Sequence, residues 1–278
     1  MIPILAGLTA ALCWGLSTVV ASRSTRILGS QQALAYVMLL GLAALAVIAP
    51  ATGLPAHVGP GALAWAVGAG VGSAIGLSLL YRAVRLGRVG VVTPIASTEG
   101  AVAAVLSIAL GERLTLSVAL CLAVVALGVV VVTLRGSAAD VHLRASLYAF
   151  GAACFFGAGL VASAHAGDTL GALWTILIAR IVGVAVISAP LIVRRSLPLP
   201  GRAWRMVVFS AAAELTGYVA YVGGSHKGVA IPAVLGSQFA AVATLGSFLF
   251  FGERIGRRQL AGAAVIVAGV GALAAVRG

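Results

Sequence analysis

The tripeptide Gly-Glu-Arg occurs twice in this chain, in ALGERLT at residues 109–115 and in FFGERIG at residues 250–256. The two copies are 141 residues apart in a chain of 278 residues. Sequence that recurs at a fixed period indicates a repeated structural unit. Because the period is close to half the chain length, the sequence predicts two related halves, residues 1–138 and residues 139–278.

The same shift of 141 residues aligns further positions of the two halves without a gap. The matches fall in the first, third, fourth and fifth apolar segments of each half, so the duplicated unit contains five segments. The matched pairs are Cys13 with Cys154, residues 20–22 with residues 161–163, Gly76 with Gly217, Gly87 with Gly228, and Gly128 with Gly269.

The composition is that of an integral membrane protein, with 62% hydrophobic residues, 9% charged residues and a mean hydropathy of +1.15. A hydrocarbon core of about 30 Å needs about 20 apolar residues per helix. The chain is long enough for ten such helices joined by short loops, and we expect an all-α membrane fold. The expected helices are residues 2–21, 32–50, 61–80, 90–110, 115–134, 146–164, 171–193, 206–223, 229–250 and 259–276.

The loop charges indicate that the second half is inverted relative to the first. Five helices are an odd number, so a duplicated unit starts on the opposite membrane face. Short cytoplasmic loops collect Lys and Arg, and the rule places both termini outside the cytoplasm of a bacterial cell. The residues assigned to the cytoplasmic face are Arg23, Arg26, Arg82, Arg85, Arg88, Arg135, Arg144, Arg194, Arg195, Arg202, Arg205, Arg254, Arg257 and Arg258, against Arg113, Lys227 and Arg277 on the other face.

The ordered set of repeated motifs resembles the EamA type of the drug/metabolite transporter superfamily over the whole chain. The residues that carry the resemblance are an aromatic near the start of each half (CWG at 13–15 and CFF at 154–156), Pro94 and Pro232 in the fourth helices, and Gly111-Glu112-Arg113 with Gly252-Glu253-Arg254. The resemblance implies a ten-helix carrier that moves small metabolites by alternating access. It also implies cytoplasmic termini, from which the charge pattern of this chain departs. The family's arginine in the second helix of a half is matched by Arg180, whereas the corresponding residue of the first half is Leu39.

The repeated Gly-Glu-Arg is interpreted as a structural motif. Glycine tolerates the left-handed backbone angles at a helix end, and the adjacent Glu can satisfy amides at the start of the next helix. A gating salt bridge through Arg113 or Arg254 is the functional alternative.

Three ionisable residues, Glu99, Arg180 and Glu214, lie inside apolar segments, each at about the ninth or tenth position. Charges at that depth are costly and usually face a cavity or a partner, and carriers with inverted repeats bind substrate there. Desolvation favours protonation of a carboxyl, so Glu99 or Glu214 could carry a proton through a transport cycle. Arg180 could hold a substrate carboxylate or neutralise one of the two Glu residues.

Neighbouring residues extend this candidate site. Ser97 and Thr98 precede Glu99 and follow Pro94, which removes one amide donor from the helix. Tyr218 lies one helical turn after Glu214 and is a candidate cavity residue. Gln238, with Ser237, could hydrogen-bond a ligand or bridge helices, and Trp14 could be a cavity wall or a packing residue.

Other chemistries lack the residues that they require. The histidines and cysteines show no metal-ligand spacing, and the chain has no GxxxxGK[ST] or HExxH motif. We expect no metal, cofactor or enzymatic activity. The net charge of +12 resides in loops next to apolar segments, which favours anionic lipid headgroups over nucleic acid as partners.

The leading hypothesis is a proton-coupled exporter of amino-acid-like or amine metabolites in the bacterial inner membrane, as a monomer or homodimer. The alternatives are a flippase for amphipathic or lipid-linked molecules and a non-transporting membrane subunit. A zwitterionic substrate would use both signs of charge at the midplane, whereas a cation would need only a carboxylate and aromatic walls.

Overall fold

A computed structural model describes residues 2–55, 57–87, 89–133 and 143–251, together with residues 265, 268, 269, 272 and 276. Within this part of the chain the structure is helical and contains no β-strand. Gly252, Glu253, Arg254 and most of the expected last helix lie outside the described residues. The helices are α1 (Ile2–Leu28), α2 (Ser30–Ala51), α3 (Pro60–Leu86), α4 (Val89–Ala96), α5 (Glu99–Ala109), α6 (Leu116–Thr133), α7 (Leu143–Leu170), α8 (Ala172–Gly183), α9 (Ala189–Val193), α10 (Trp204–Gly224), α11 (Ala230–Gly236) and α12 (Phe239–Phe251).

Six helical segments of the described chain are long and apolar enough to cross a membrane. One of them contains α8 and α9, which a π-helical turn at Val184–Ser188 joins into a continuous segment. The all-α membrane fold is therefore confirmed, while the number of ten helices stays a prediction. The six segments are Ile2–Leu28, Ser30–Ala51, Pro60–Leu86, Leu143–Leu170, Ala172–Val193 and Gly201–Lys227.

The expected fourth and ninth helices are each interrupted near their middle. A turn at residues 97–98 separates α4 from α5, and a turn at residues 237–238 separates α11 from α12. Pro94 and Pro232 each lie in the helix before the turn. Pro94 is the sixth residue of α4 and leaves one helical carbonyl without its donor, whereas Pro232 lies in the first turn of α11, where no intrahelical bond is lost. The two interruptions meet, since a Cβ atom on Gly100 would lie 2.8 Å from the Ala233 carbonyl oxygen.

The first helix of each half packs against the third helix of the other half. In the pair α3 and α7, a Cβ atom on Gly72 would lie 2.8 Å from Gly159 Cα and 2.8 Å from the Phe155 carbonyl oxygen. In the pair α1 and α10, a Cβ atom on Gly217 would lie 2.7 Å from Trp14 Nε1. These close approaches require glycine and interlock the two halves.

The antiparallel packing of α1 and α10 brings several arginines to one end of the bundle. Ser17 Oγ donates to the Ser210 carbonyl 3.1 Å away, so the second half of α1 lies beside the start of α10. The end of α1 therefore lies at the same end of the bundle as the start of α10. At this end the Tyr36 hydroxyl donates to the Pro198 carbonyl at 2.6 Å. The arginines placed there by this packing are Arg23, Arg26, Arg202 and Arg205.

The close contact of α3 with α7 makes Gly72 sensitive to added volume. We expect Gly72→Ala to lower the free energy of unfolding by about 1–3 kcal/mol, because the new Cβ atom would overlap backbone atoms that cannot rotate away. The matched control is Gly61→Ala on the same helix, where a Cβ atom meets nothing within 4 Å. Thermal unfolding of the purified protein in detergent measures both, and equal midpoints for the two variants would contradict this packing.

Candidate functional site

A cavity lies at the centre of the bundle, between helices of both halves. Its volume is about 70 Å³. One water molecule needs roughly 10–15 Å³ on this measure, so the cavity has room for several waters or for a small organic solute. The lining residues are Trp14, Ser17, Thr18, Ser73, Leu77, Leu80, Tyr81, Glu99, Phe156, Gly159, Leu160, Glu214, Tyr218 and Phe239.

The wall of the cavity is largely aromatic and aliphatic. Trp14 lines the cavity and also packs against α10. Its Nε1 donates to the Glu214 carbonyl at 3.4 Å, and its indole lies against Gly217. The centroids of the Trp14 and Tyr221 rings are 6.0 Å apart. Behind this wall the Tyr221 hydroxyl donates to the Leu160 carbonyl at 3.1 Å, which ties α10 to α7. The aromatic walls are therefore held in place by contacts between helices.

Glu99 is a carboxylate of the cavity wall with no partner in the described part of the protein. It is the first residue of α5, directly after the turn that interrupts the helix, and 4% of its surface is exposed. Among the described residues, no hydrogen-bond donor or cation contacts its carboxylate. A buried carboxylate without a counter-ion is costly in its charged form, so Glu99 is suited to bind a proton or a cation.

Glu214, the second carboxylate of the cavity, forms an ion pair with Arg180. Arg180 Nη2 donates to Glu214 Oε2, and both residues are buried, with exposures of 1% for Arg180 and 7% for Glu214. Arg180 reaches Glu214 from α8 and does not line the cavity. The pair compensates the charge of Glu214, which distinguishes it from Glu99.

The packing around Arg180 fixes its guanidinium behind the cavity wall. Nη1 lies 3.1 Å from Met38 Sδ, and the guanidinium carbon lies 5.9 Å from the centroid of the Tyr218 ring. Gly41 leaves the necessary space, since a Cβ atom there would lie 3.2 Å from Arg180 Nε. Of the two roles predicted for Arg180, this geometry fits the neutralisation of a Glu residue.

Some residues expected at the site lie away from the cavity. Ser97 is buried, and Thr98 is exposed and donates to the Ile95 carbonyl at 2.8 Å. Gln238 is buried and its Nε2 donates to the Val234 carbonyl at 3.0 Å. None of the three lines the cavity, whereas Glu99, Glu214, Tyr218 and Trp14 do.

The first Gly-Glu-Arg forms a structural contact between the halves. Gly111 has a φ of +103°, a left-handed angle that favours glycine. The Glu112 carboxylate accepts hydrogen bonds from the amides of Val229 (3.0 Å) and Ala230 (3.3 Å) at the start of α11. It therefore caps a helix of the other half rather than the next helix in the chain, and Arg113 is exposed.

The cavity also contains polar and aromatic residues that the sequence patterns did not indicate, among them Ser17, Thr18, Ser73, Tyr81, Phe156 and Phe239. The repeat could have identified Ser73 as a cavity residue, because the shift of 141 residues makes it the counterpart of Glu214. Tyr81 follows Ser73 by eight residues on α3 and so lies on the same helical face.

The Arg180–Glu214 ion pair predicts that removal of one partner lowers the free energy of unfolding strongly. Removal of the second partner as well should restore part of that loss. Arg180→Leu leaves Glu214 buried without a partner, and we expect it to lower the free energy of unfolding by about 3–5 kcal/mol. The double variant Arg180→Leu with Glu214→Ser copies the counterparts Leu39 and Ser73 and removes both charges. Thermal unfolding should show that the double variant is more stable than Arg180→Leu alone, and a further loss of stability would refute the pairing.

Comparisons with known proteins agree with this architecture. The family model described as the EamA-like transporter family matches residues 1–134 and again residues 143–274. A solved structure described as "Crystal structure of protein" shares 19% identity with this chain at a TM-score of 0.76. The alignment covers 97% of this chain and 95% of that chain, which shows a common fold. A search among curated proteins found no match.

Proposed function

The chain belongs to the EamA-like transporter family and is a multi-pass membrane transporter of small molecules, and we propose that it exports small amine-bearing metabolites in exchange for protons. In this proposal Glu99 is the coupling carboxylate. Residues 1–138 and 139–278 act as the two inverted units between which the substrate binds. In this proposal the protein lies in a bacterial inner membrane, and the arginine-rich end of the bundle faces the cytoplasm.

The main support for the proposal is that one of the two carboxylates of the cavity has a counter-ion and the other has none among the described residues. Arg180 compensates the charge of Glu214, but Glu99 has no partner among the described residues. An isolated buried carboxylate is stabilised when it binds either a proton or a cationic substrate. Because one carboxylate cannot hold both, the two ligands compete, and this competition is the basis of an exchange mechanism.

The cavity favours a cation over a zwitterion as the substrate. A zwitterion needs a positively charged group for its carboxylate, and the nearby Arg180 is bonded to Glu214 behind the wall. An ammonium group on a small apolar body would contact Glu99 and the aromatic rings of Trp14, Phe156 and Tyr218. With an inward proton gradient, exchange of a proton for such a cation moves the amine out of the cell.

The proposal predicts that Glu99→Gln abolishes coupled transport. Proteoliposomes that contain only this protein are loaded with a pH-sensitive dye, and a panel of primary amines, amino acids, sugars and nucleosides is added outside. We expect the wild type to show an amine-dependent proton flux, and Glu99→Gln to fall to the level of protein-free liposomes, because glutamine cannot release a proton.

The matched control for this experiment is Glu112→Gln, which removes a carboxylate outside the cavity. This variant should retain the proton flux. Flux with amino acids in preference to amines would reject the cationic substrate, and undiminished flux in Glu99→Gln would reject Glu99 as the coupling residue. Absence of flux with every compound would indicate a flippase or a subunit that requires a partner.

A further inference from the structure

Two hydroxyl-bearing residues of α3, Ser73 and Tyr81, line the cavity, and their hydroxyl groups have no hydrogen-bond partner among the described residues. Tyr81 is 3% exposed and lines the cavity, and its buried hydroxyl has no hydrogen-bond partner in the described structure. Ser73 also lines the cavity, and no group of the described residues bonds to its hydroxyl. Buried polar groups in folded proteins are normally paired, so the unpaired Tyr81 hydroxyl requires an explanation.

The other cavity hydroxyls of α1 show the usual behaviour. Ser17 Oγ donates to the Ser210 carbonyl at 3.1 Å, and Thr18 Oγ1 donates to the Trp14 carbonyl at 2.8 Å. These two donors are used within the protein and hold helices in place. The hydroxyls of Ser73 and Tyr81 therefore differ from those of Ser17 and Thr18 in forming no hydrogen bond with the described residues.

The spacing of these residues makes a stripe along α3. Ser73, Leu77 and Tyr81 are four residues apart and lie on one helical face, all three on the cavity wall. At 1.5 Å per residue the two hydroxyl-bearing residues are about 12 Å apart along the helix axis. The stripe presents a hydrogen-bonding group at each end and an apolar side chain between them.

We propose that the Ser73 and Tyr81 hydroxyls select substrates that carry a hydrogen-bonding oxygen in addition to their ammonium group. The inference rests on the proposed amine transport and deepens it, because it separates hydroxylated or carbonyl-bearing amines from amines with a purely hydrocarbon body. Glu99 on α5 binds the cationic end, and the α3 stripe binds the rest of the molecule. Both recognition elements belong to the first half of the chain, whereas the carboxylate of Glu214 is held by Arg180 within the second half.

Matched pairs of amines test this selection directly. 2-Aminoethanol and propylamine differ by a hydroxyl in place of a methyl group, and tyramine and phenethylamine differ by one phenol oxygen. The KM and kcat of Glu99-dependent transport are measured for each compound in wild type, Tyr81→Phe and Ser73→Ala. Both substitutions remove an oxygen atom and keep the rest of the packing, and a thermal unfolding curve verifies the fold of each variant.

We expect the wild type to prefer the oxygen-bearing member of at least one pair by about tenfold in kcat/KM, the effect of one hydrogen bond. Tyr81→Phe or Ser73→Ala should reduce that preference to about one, because the loss of the hydroxyl weakens transport of the oxygen-bearing amine more than transport of the hydrocarbon amine. The control Tyr148→Phe removes a phenol oxygen outside the cavity and should keep the wild-type preference.

The outcomes separate this inference from the proposal on which it rests. If the wild type transports amines through Glu99 but neither variant changes the preference, the role of the α3 hydroxyls is refuted and amine transport stands. An altered pH dependence of transport in Tyr81→Phe without a change in preference also refutes it, since Tyr81 would then act on the nearby Glu214 and Arg180 charges. If the wild type transports none of the four amines, the proposed function fails together with the inference.

Discussion

The cost of a charge in an apolar interior is the constraint on which the rest of this structure depends. Three acidic or basic side chains, Glu99, Arg180 and Glu214, lie deep in the described part of the bundle, and they are accommodated in two different ways. Arg180 and Glu214 compensate each other's charge. Gly41 leaves space for the guanidinium, and Met38 Sδ contacts it. Glu99 has no such compensation from the described residues and faces the cavity. In the proposed mechanism, a proton or a cationic substrate compensates the charge of Glu99, which the described residues leave uncompensated.

The helix framework is similar in the two halves, whereas the charged residues of the cavity differ between them. The framework depends on helix packing and the cavity residues on chemistry. The framework needs close helix contacts, and the repeated glycines provide them in equivalent places, as Gly76 and Gly217 do on α3 and α10. The proposed exchange mechanism uses a single uncompensated carboxylate, Glu99. The counterparts of Glu99, Glu214 and Arg180 are Ala240, Ser73 and Leu39, so one half could change its chemistry while the contacts between the halves were kept.

The sequence was sufficient to predict an all-α membrane fold with two repeats, because hydropathy and the repeat are properties of long segments, while the number of ten helices stays a prediction. It also located Glu99, Arg180 and Glu214, since charge inside an apolar segment is visible without coordinates. It could not identify the partner of Arg180, because the contact between α8 and α10 depends on helix packing. Thr98 and Gln238 were expected at the site but lie in the interrupting turns, where helical periodicity does not determine the direction of a side chain. Glu112 caps α11 across the interface between the halves, a contact between residues 117 positions apart in sequence.

The most direct test of the account is the number of protons released when the purified protein binds an amine in weakly buffered detergent solution. Propylamine and 2-aminoethanol are the probes, and a pH indicator reports the protons while calorimetry reports the amine bound. We expect one proton to be released per bound amine in the wild type, in a pH range where Glu99 is protonated, and none in Glu99→Gln. Amine binding without proton release, or release that persists in Glu99→Gln, would contradict the competition of proton and cation for this carboxylate.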